Sequence, residues 1–84
     1  MAHVSKKEGI FESGQKFRCT EAISTWDVPF KVGQEVSIVH IAYSHYDDSY
    51  SIRFVNHAGS TFDFEIHNPG SMKEVDPYFE PIKE

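Results

Sequence analysis

The stretch FKVGQEVSIVHIAY (residues 30–43) carries a change of parity on which the fold depends. Gly33 marks a turn, and Val36 and Ile38 then alternate with polar neighbours, the period of a half-buried strand. The apolar positions continue as Val39, Ile41 and Tyr43, on the opposite parity. A strand whose parity slips by one residue carries a bulge or a sharp coil, as strands do when a small sheet folds over on itself. A long, bent strand in a small curled sheet is therefore predicted.

Working outward, Phe17 and Cys19 alternate with Arg18 and Thr20, which predicts a first strand from Lys16. Residues 21–30, EAISTWDVPF, lack alternation and contain Pro29, so they read as a loop carrying Trp26. Downstream, YSHYDDSY (43–50) is a polar connection. Tyr50, Ile52 and Phe54 then alternate, as do Phe62, Phe64 and Ile66 beyond a tight turn at residues 56–59, and together these form an antiparallel hairpin. Asn68, Pro69 and Gly70 suit a type II turn, with Gly at the position that needs a positive φ. A short helical turn at Met72–Val75 and a last extended piece through Tyr78, Phe79 and Ile82 complete the chain. No internal repeat and no low-complexity tract is read.

The expectation is an all-β fold, a single small five-stranded antiparallel barrel. Its core is drawn from Phe17, Cys19, Val36, Ile38, Ile41, Ile52, Phe54, Phe62, Phe64 and Ile66. Residues 1–15 form a polar N-terminal arm with Ile10 and Phe11 as its docking point, and residues 16–84 form the domain.

Composition agrees with one compact unit: 84 residues, 39% hydrophobic, with seven Phe, four Tyr and one Trp to fill a small core. The single cysteine, Cys19, has no disulfide or zinc companion, which points to a reducing compartment. No apolar run approaches the roughly 18 residues of a membrane helix, so a cytoplasmic protein with no membrane association is expected. A net charge of −5 opposes a broad grip on nucleic acid.

The segment PFKVGQEVSIVHI is similar to a pattern of Src-homology-3-type barrels: Phe, two residues, Gly, a polar residue, then alternating apolar positions into the second strand. Tyr46 to Tyr50 take the place of that family's variable loop, residues 56–59 resemble its distal hairpin, and DPYFEPI resembles its closing turn and strand. The resemblance spans residues 16–82 and implies the fold. The aromatic-rich first-strand motif of the family's peptide groove reads FRCTEAIS here, and Ser49 and Tyr50 stand where a Trp opens the third strand. Tyr50 and Tyr78 are the groove aromatics that remain. In size and style the chain also resembles small bacteriophage accessory proteins, many of which bind a host protein; this likeness implies an inhibitory role in the host cytoplasm.

Four kinds of chemistry compete for the polar residues. His45, Asp47 and Asp48 are acid–base types, but Ser44 and Ser49 beside them lie in a turn with no Gly-rich oxyanion segment, so no catalysis is expected. Five histidines are a high share, yet no ligand spacing gathers them, so neither a metal nor another cofactor is expected. Nucleic acid is the alternative function: Trp26, Tyr43 and Tyr46 can stack on bases, although Asp27, Asp47 and Asp48 would repel phosphates. Protein recognition uses the same residues better, since Tyr and Trp supply contact area with few rotors to freeze. The expected partner-binding set is Trp26, Asp27, Tyr46, Asp47, Asp48, Tyr50 and Tyr78, facing a protein with a basic patch. An open sheet edge would let an extended peptide or a second copy pair along it, which adds the option of a weak homodimer beside a monomer.

Overall fold

A computed structural model describes residues 10–82. Its elements are β1 (Lys16–Cys19), a 3-10 helix (Glu21–Thr25), β2 (Glu35–Ser44), β3 (Ser49–Asn56), β4 (Thr61–Ile66) and β5 (Phe79–Pro81). The strands form one antiparallel sheet in the order β4-β3-β2-β1-β5, curled into a half-barrel. Since β4 and β5 do not pair, the barrel is open, and among the described residues the sheet has two edges.

The parity slip in β2 is a bulge. Ile38 lies opposite Phe54 and His40 opposite Arg53, which leaves Val39 as the extra residue, 48% exposed. Beyond it Ile41 faces Ile52 and Tyr43 faces Tyr50, so side chains of opposite parity return to the concave face. The bulge thus lets one strand serve both halves of the curled sheet.

Contrary to the expectation of no repeat, one five-residue device occurs twice. Phe11-Glu12-Ser13-Gly14-Gln15 and Phe30-Lys31-Val32-Gly33-Gln34 each bury the Phe and hold the Gly at positive φ, +92° and +85°. The Gln N–H closes each turn on the carbonyl three residues back, at 3.2 and 3.0 Å. The Gln side chain accepts from that same residue's N–H, at 3.1 and 3.3 Å. Only glycine enters this backbone region without strain, so the turn requires it. The two copies also bond reciprocally: Gly14 N–H donates to Ile38 and Ile38 N–H to Gln15, while Gly33 N–H donates to Cys19 and Cys19 N–H to Gln34. A local two-fold relation therefore passes between the paired residues Phe17 and Val36.

The core has Phe17, Phe54 and Phe79 at its centre, with Phe54 stacked on Phe79 at 4.3 Å and Phe17 edge-on to Phe54 at 5.7 Å. Eight of the ten expected core residues are buried, but Ile41 and Phe62 are only half-buried. Phe11, Ile23, Phe30, Tyr50, Val75 and Phe79 join the core, mostly from segments without strand periodicity. Phe11, expected as the docking point of the arm, is buried, and Ile10 N–H bonds the Pro69 carbonyl at 2.8 Å. Residues 10–15 thus dock on the sheet, and the rest of that arm lies outside the described residues.

Two local expectations need correction. The loop read over residues 21–30 opens with the 3-10 helix, whose buried Ile23 plugs the sheet while Ser24 and Thr25 hydroxyls return to the carbonyls of Glu21 and Ala22. At residues 68–71 the Ser71 N–H does reach the Asn68 carbonyl, but Gly70 lacks the positive φ of a type II turn. The Asn68 side chain accepts from Gly70 N–H instead, in an Asx arrangement that needs no glycine. The β3–β4 hairpin is held by Asn56, whose buried side chain accepts from Ala58 and Ser60 N–H and donates to Gln34.

Candidate functional site

Trp26 follows the 3-10 helix in an extended conformation, its N–H bonded to the Ile23 carbonyl, and this carries the indole back over β4. There it stacks on Phe64 at 5.2 Å and 19°, meets Phe62 at 5.8 Å and lies 4.2 Å from the Tyr78 ring. Tyr78 comes from the one-turn segment after Met72, where the Tyr78 and Phe79 N–H groups both return to Val75. Phe79 is fully buried on the core side, which leaves Tyr78 facing Trp26. The two carriers are tied together, because Thr20 donates its N–H to Tyr78 and its hydroxyl to Pro77.

The result is an aromatic wall of half-buried Trp26, Phe62 and Tyr78 backed by buried Phe64, bordering a shallow groove of about 510 Å³ along β4. Asp63, Glu65, Lys73, Glu74 and Pro77 complete its lining. Asp63 is held by Arg53 in a two-point contact at 2.8 and 3.2 Å, and those hydrogen bonds keep its carboxyl below the usual range. Burial pushes the Glu74 carboxyl up, but the N–H groups of His67 and Asn68 and the His67 ring outweigh it, so the net shift is downward.

The β2–β3 connection carries the second set. Tyr46 is 90% exposed and, among the described residues, stacks only on His45, at 4.6 Å. Asp48 adopts φ +51° and accepts a 2.8 Å bond from the Tyr43 hydroxyl, which raises the Tyr43 pKa. Asp47 borders a depression of about 360 Å³ on the convex face, floored by Ala42, Ser49 and Ser51, and Asp63 and Glu65 close its other side. Acidic groups thus continue from Asp47 across β4 to Glu74.

The expected site residues therefore divide. Trp26 and Tyr78 meet at the wall, with exposed Asp27 next to Trp26 in the chain. Tyr46, Asp47 and Asp48 sit together at the hairpin tip. Tyr50 is a correction: it is 8% exposed, paired with Ile66 on the concave face, and walls a cavity of about 300 Å³ with Phe11, Ile52 and Ile66. Its parity in β3 points it inward. Glu65, Glu74 and Pro77 were not anticipated at the site. For Glu65 the signal was present in TFDFEI, where two acids hold the outward parity of the last strand before a turn.

Among the described residues, no group of three or more His, Cys, Asp or Glu is gathered to hold a metal ion, and no helix is long and apolar enough to cross a membrane. Cys19 is buried and burial pushes its thiol up to about 11, so it is protonated and inert at neutral pH. Compared with protein-family models, curated proteins and solved structures, the chain matches none.

Proposed function

We propose that this protein is a non-catalytic binding module of the Src-homology-3 type, acting as a small regulatory or inhibitory protein. It grips a protein partner that carries a basic patch. The observation that carries the reading is the aromatic wall of Trp26, Phe62, Phe64 and Tyr78 bordered by carboxylates along an edge strand. Apolar anchors within an acidic border are what a basic protein surface complements: the rings give affinity and the carboxylates steer the approach. Tyr46 at the hairpin tip, with Asp47 beside it, is a second anchor within the same acidic field.

The order of elements supports the barrel type. A bulged second strand follows the Phe-x-x-Gly-Gln turn, a tight hairpin joins β3 to β4, and a helical turn with Pro77 and Tyr78 leads into a short last strand. The cations speak for a protein rather than nucleic acid. Arg18 lies between Glu35 and Glu80, and Arg53 is committed to Asp63, so neither is offered to a phosphate.

The test is affinity capture from lysate of the native cell, using the parent protein and the charge reversals Asp47→Lys and Glu65→Lys. A specific protein should be retained by the parent, released as salt rises, and lost or weakened with either reversal. Equal recovery by all three proteins refutes the surface. Retention of the parent on single-stranded DNA at moderate salt would replace this reading with a nucleic-acid one.

A further inference from the structure

The two edges of the sheet are finished differently. On β5, Ile82 N–H donates to Lys16 and Thr20 N–H to Tyr78, so residues 78, 80 and 82 face β1 and residues 79 and 81 face outward. Phe79 N–H is already bonded to the Val75 carbonyl at 2.9 Å, and Pro81 has none. That edge offers no free donor. It cannot template another strand, a protection natural sheets often use.

On β4 the arrangement is the reverse. Asn56 N–H donates to the Ser60 carbonyl, and pairing alternates from there, so Phe62, Phe64 and Ile66 bond to β3. Thr61, Asp63 and Glu65 therefore direct their N–H and C=O groups away from the sheet. Among the described residues no backbone group answers them. The next outward N–H, that of His67, is taken by the Glu74 carboxylate at 2.9 Å, which closes the edge at that point. Five residues of strand are left open, and the groove runs beside them.

We infer that β4 is a docking edge that takes an extended partner segment of alternating apolar and basic residues as a sixth strand along Thr61–Glu65. This deepens the reading above and rests on it. Side chains of an added strand that lie on the concave side meet the wall of Trp26 and Tyr78, which asks for apolar residues. Those on the convex side lie beside Glu65, while Asp63 is already held by Arg53, and the Glu65 carboxylate asks for Lys or Arg. A second copy fits worse, because its own Thr61–Glu65 segment, TFDFE, carries no Lys or Arg to set opposite Glu65.

The probe is a capped synthetic heptapeptide, KVKLKVK, with a version N-methylated at alternate residues so that its side chains persist but the pairing N–H groups are gone. On binding, amide exchange at Thr61, Asp63 and Glu65 slows, the emission of Trp26 shifts, and affinity falls between about 50 and about 300 mM salt. N-methylation weakens binding about tenfold or more. Glu65→Pro, which removes one outward N–H and no ladder bond, abolishes the slowed exchange, whereas Glu65→Gln retains it. Should the proline variant not fold, the methylated peptide still decides.

If both peptides bind equally and shift Trp26 without slowing exchange at the three edge amides, strand addition is overturned and recognition at the wall stands. If neither binds, the inference is overturned, while lysate capture still judges the parent reading. Slowed exchange of the same amides in a dimer of the protein alone overturns the choice of occupant.

Discussion

Trp26→Ala and Tyr46→Ala separate an aromatic that builds the site from one that is only displayed on it. Trp26 is half-buried and meets three rings, at 4.2, 5.2 and 5.8 Å. Truncating a fully buried Trp or Phe costs about 3–5 kcal/mol. Partial exposure lowers the expectation to about 2–3 kcal/mol. Tyr46, at 90% exposure, stacks on neighbouring His45, and its removal should stay within about 0.5 kcal/mol. A domain this small has a total stability of roughly 4–12 kcal/mol, so Trp26→Ala takes a large share of it and lowers Tm by roughly 10–20 °C. Urea melts followed by far-UV circular dichroism are the assay, because Trp26 is the one Trp and its emission vanishes with it. A Trp26→Ala variant within about 0.5 kcal/mol of the parent, or a Tyr46→Ala variant as damaged as Trp26→Ala, would refute the assignment of wall and tip.

The twin turns make a paired prediction. A Cβ at Gly14 or Gly33 meets nothing within 4 Å, so Ala at either costs only its backbone conformation, about 1–2 kcal/mol at each site in thermal melts; markedly unequal losses would break the two-fold relation. For Glu74, whose folded pKa lies below its ordinary 4.5, the contribution is present above that value and lost as pH falls through the folded one. Stability measured against pH should therefore fall more steeply on the acid side for the parent than for Glu74→Gln; parallel curves would deny the carboxylate this role. Cys19, with its thiol pushed up to about 11 and buried, should resist a thiol reagent near neutral pH until urea unfolds the chain. Rapid labelling of the folded protein would contradict that burial.

The strands were legible because burial on one face writes a period of two into the sequence, and the slip at Val39 was legible for the same reason. What periodicity cannot reveal is which irregular residue folds back as a plug. Ile23 and Val75 are single apolar residues in polar segments, and their burial follows from where the chain returns after β1 and β4. The repeated Phe-x-x-Gly-Gln device escaped notice because its two copies open different strands and share only three residues within their five. At the site, alternation alone assigns Tyr50 inward, since it shares parity with Ile52 and Phe54, and its place beside a polar loop obscured this. The meeting of Trp26 with Tyr78 joins residues more than fifty positions apart and depends on sheet curvature that no local pattern encodes.

The open edge also constrains what kind of ligand the proposed site would accept. Outward N–H groups on β4 recur every second residue, about 6.8 Å apart along an antiparallel strand. A polyproline helix repeats every three residues, about 9.3 Å, so its carbonyls meet at most one of the three edge donors in register. Covering the groove with such a ligand would strip water from the other two without replacing it, at about 1–3 kcal/mol each. An extended strand has the matching period and answers all three. The spacing of the β4 edge thus favours an extended strand over Pro-rich segments as the occupant proposed for it.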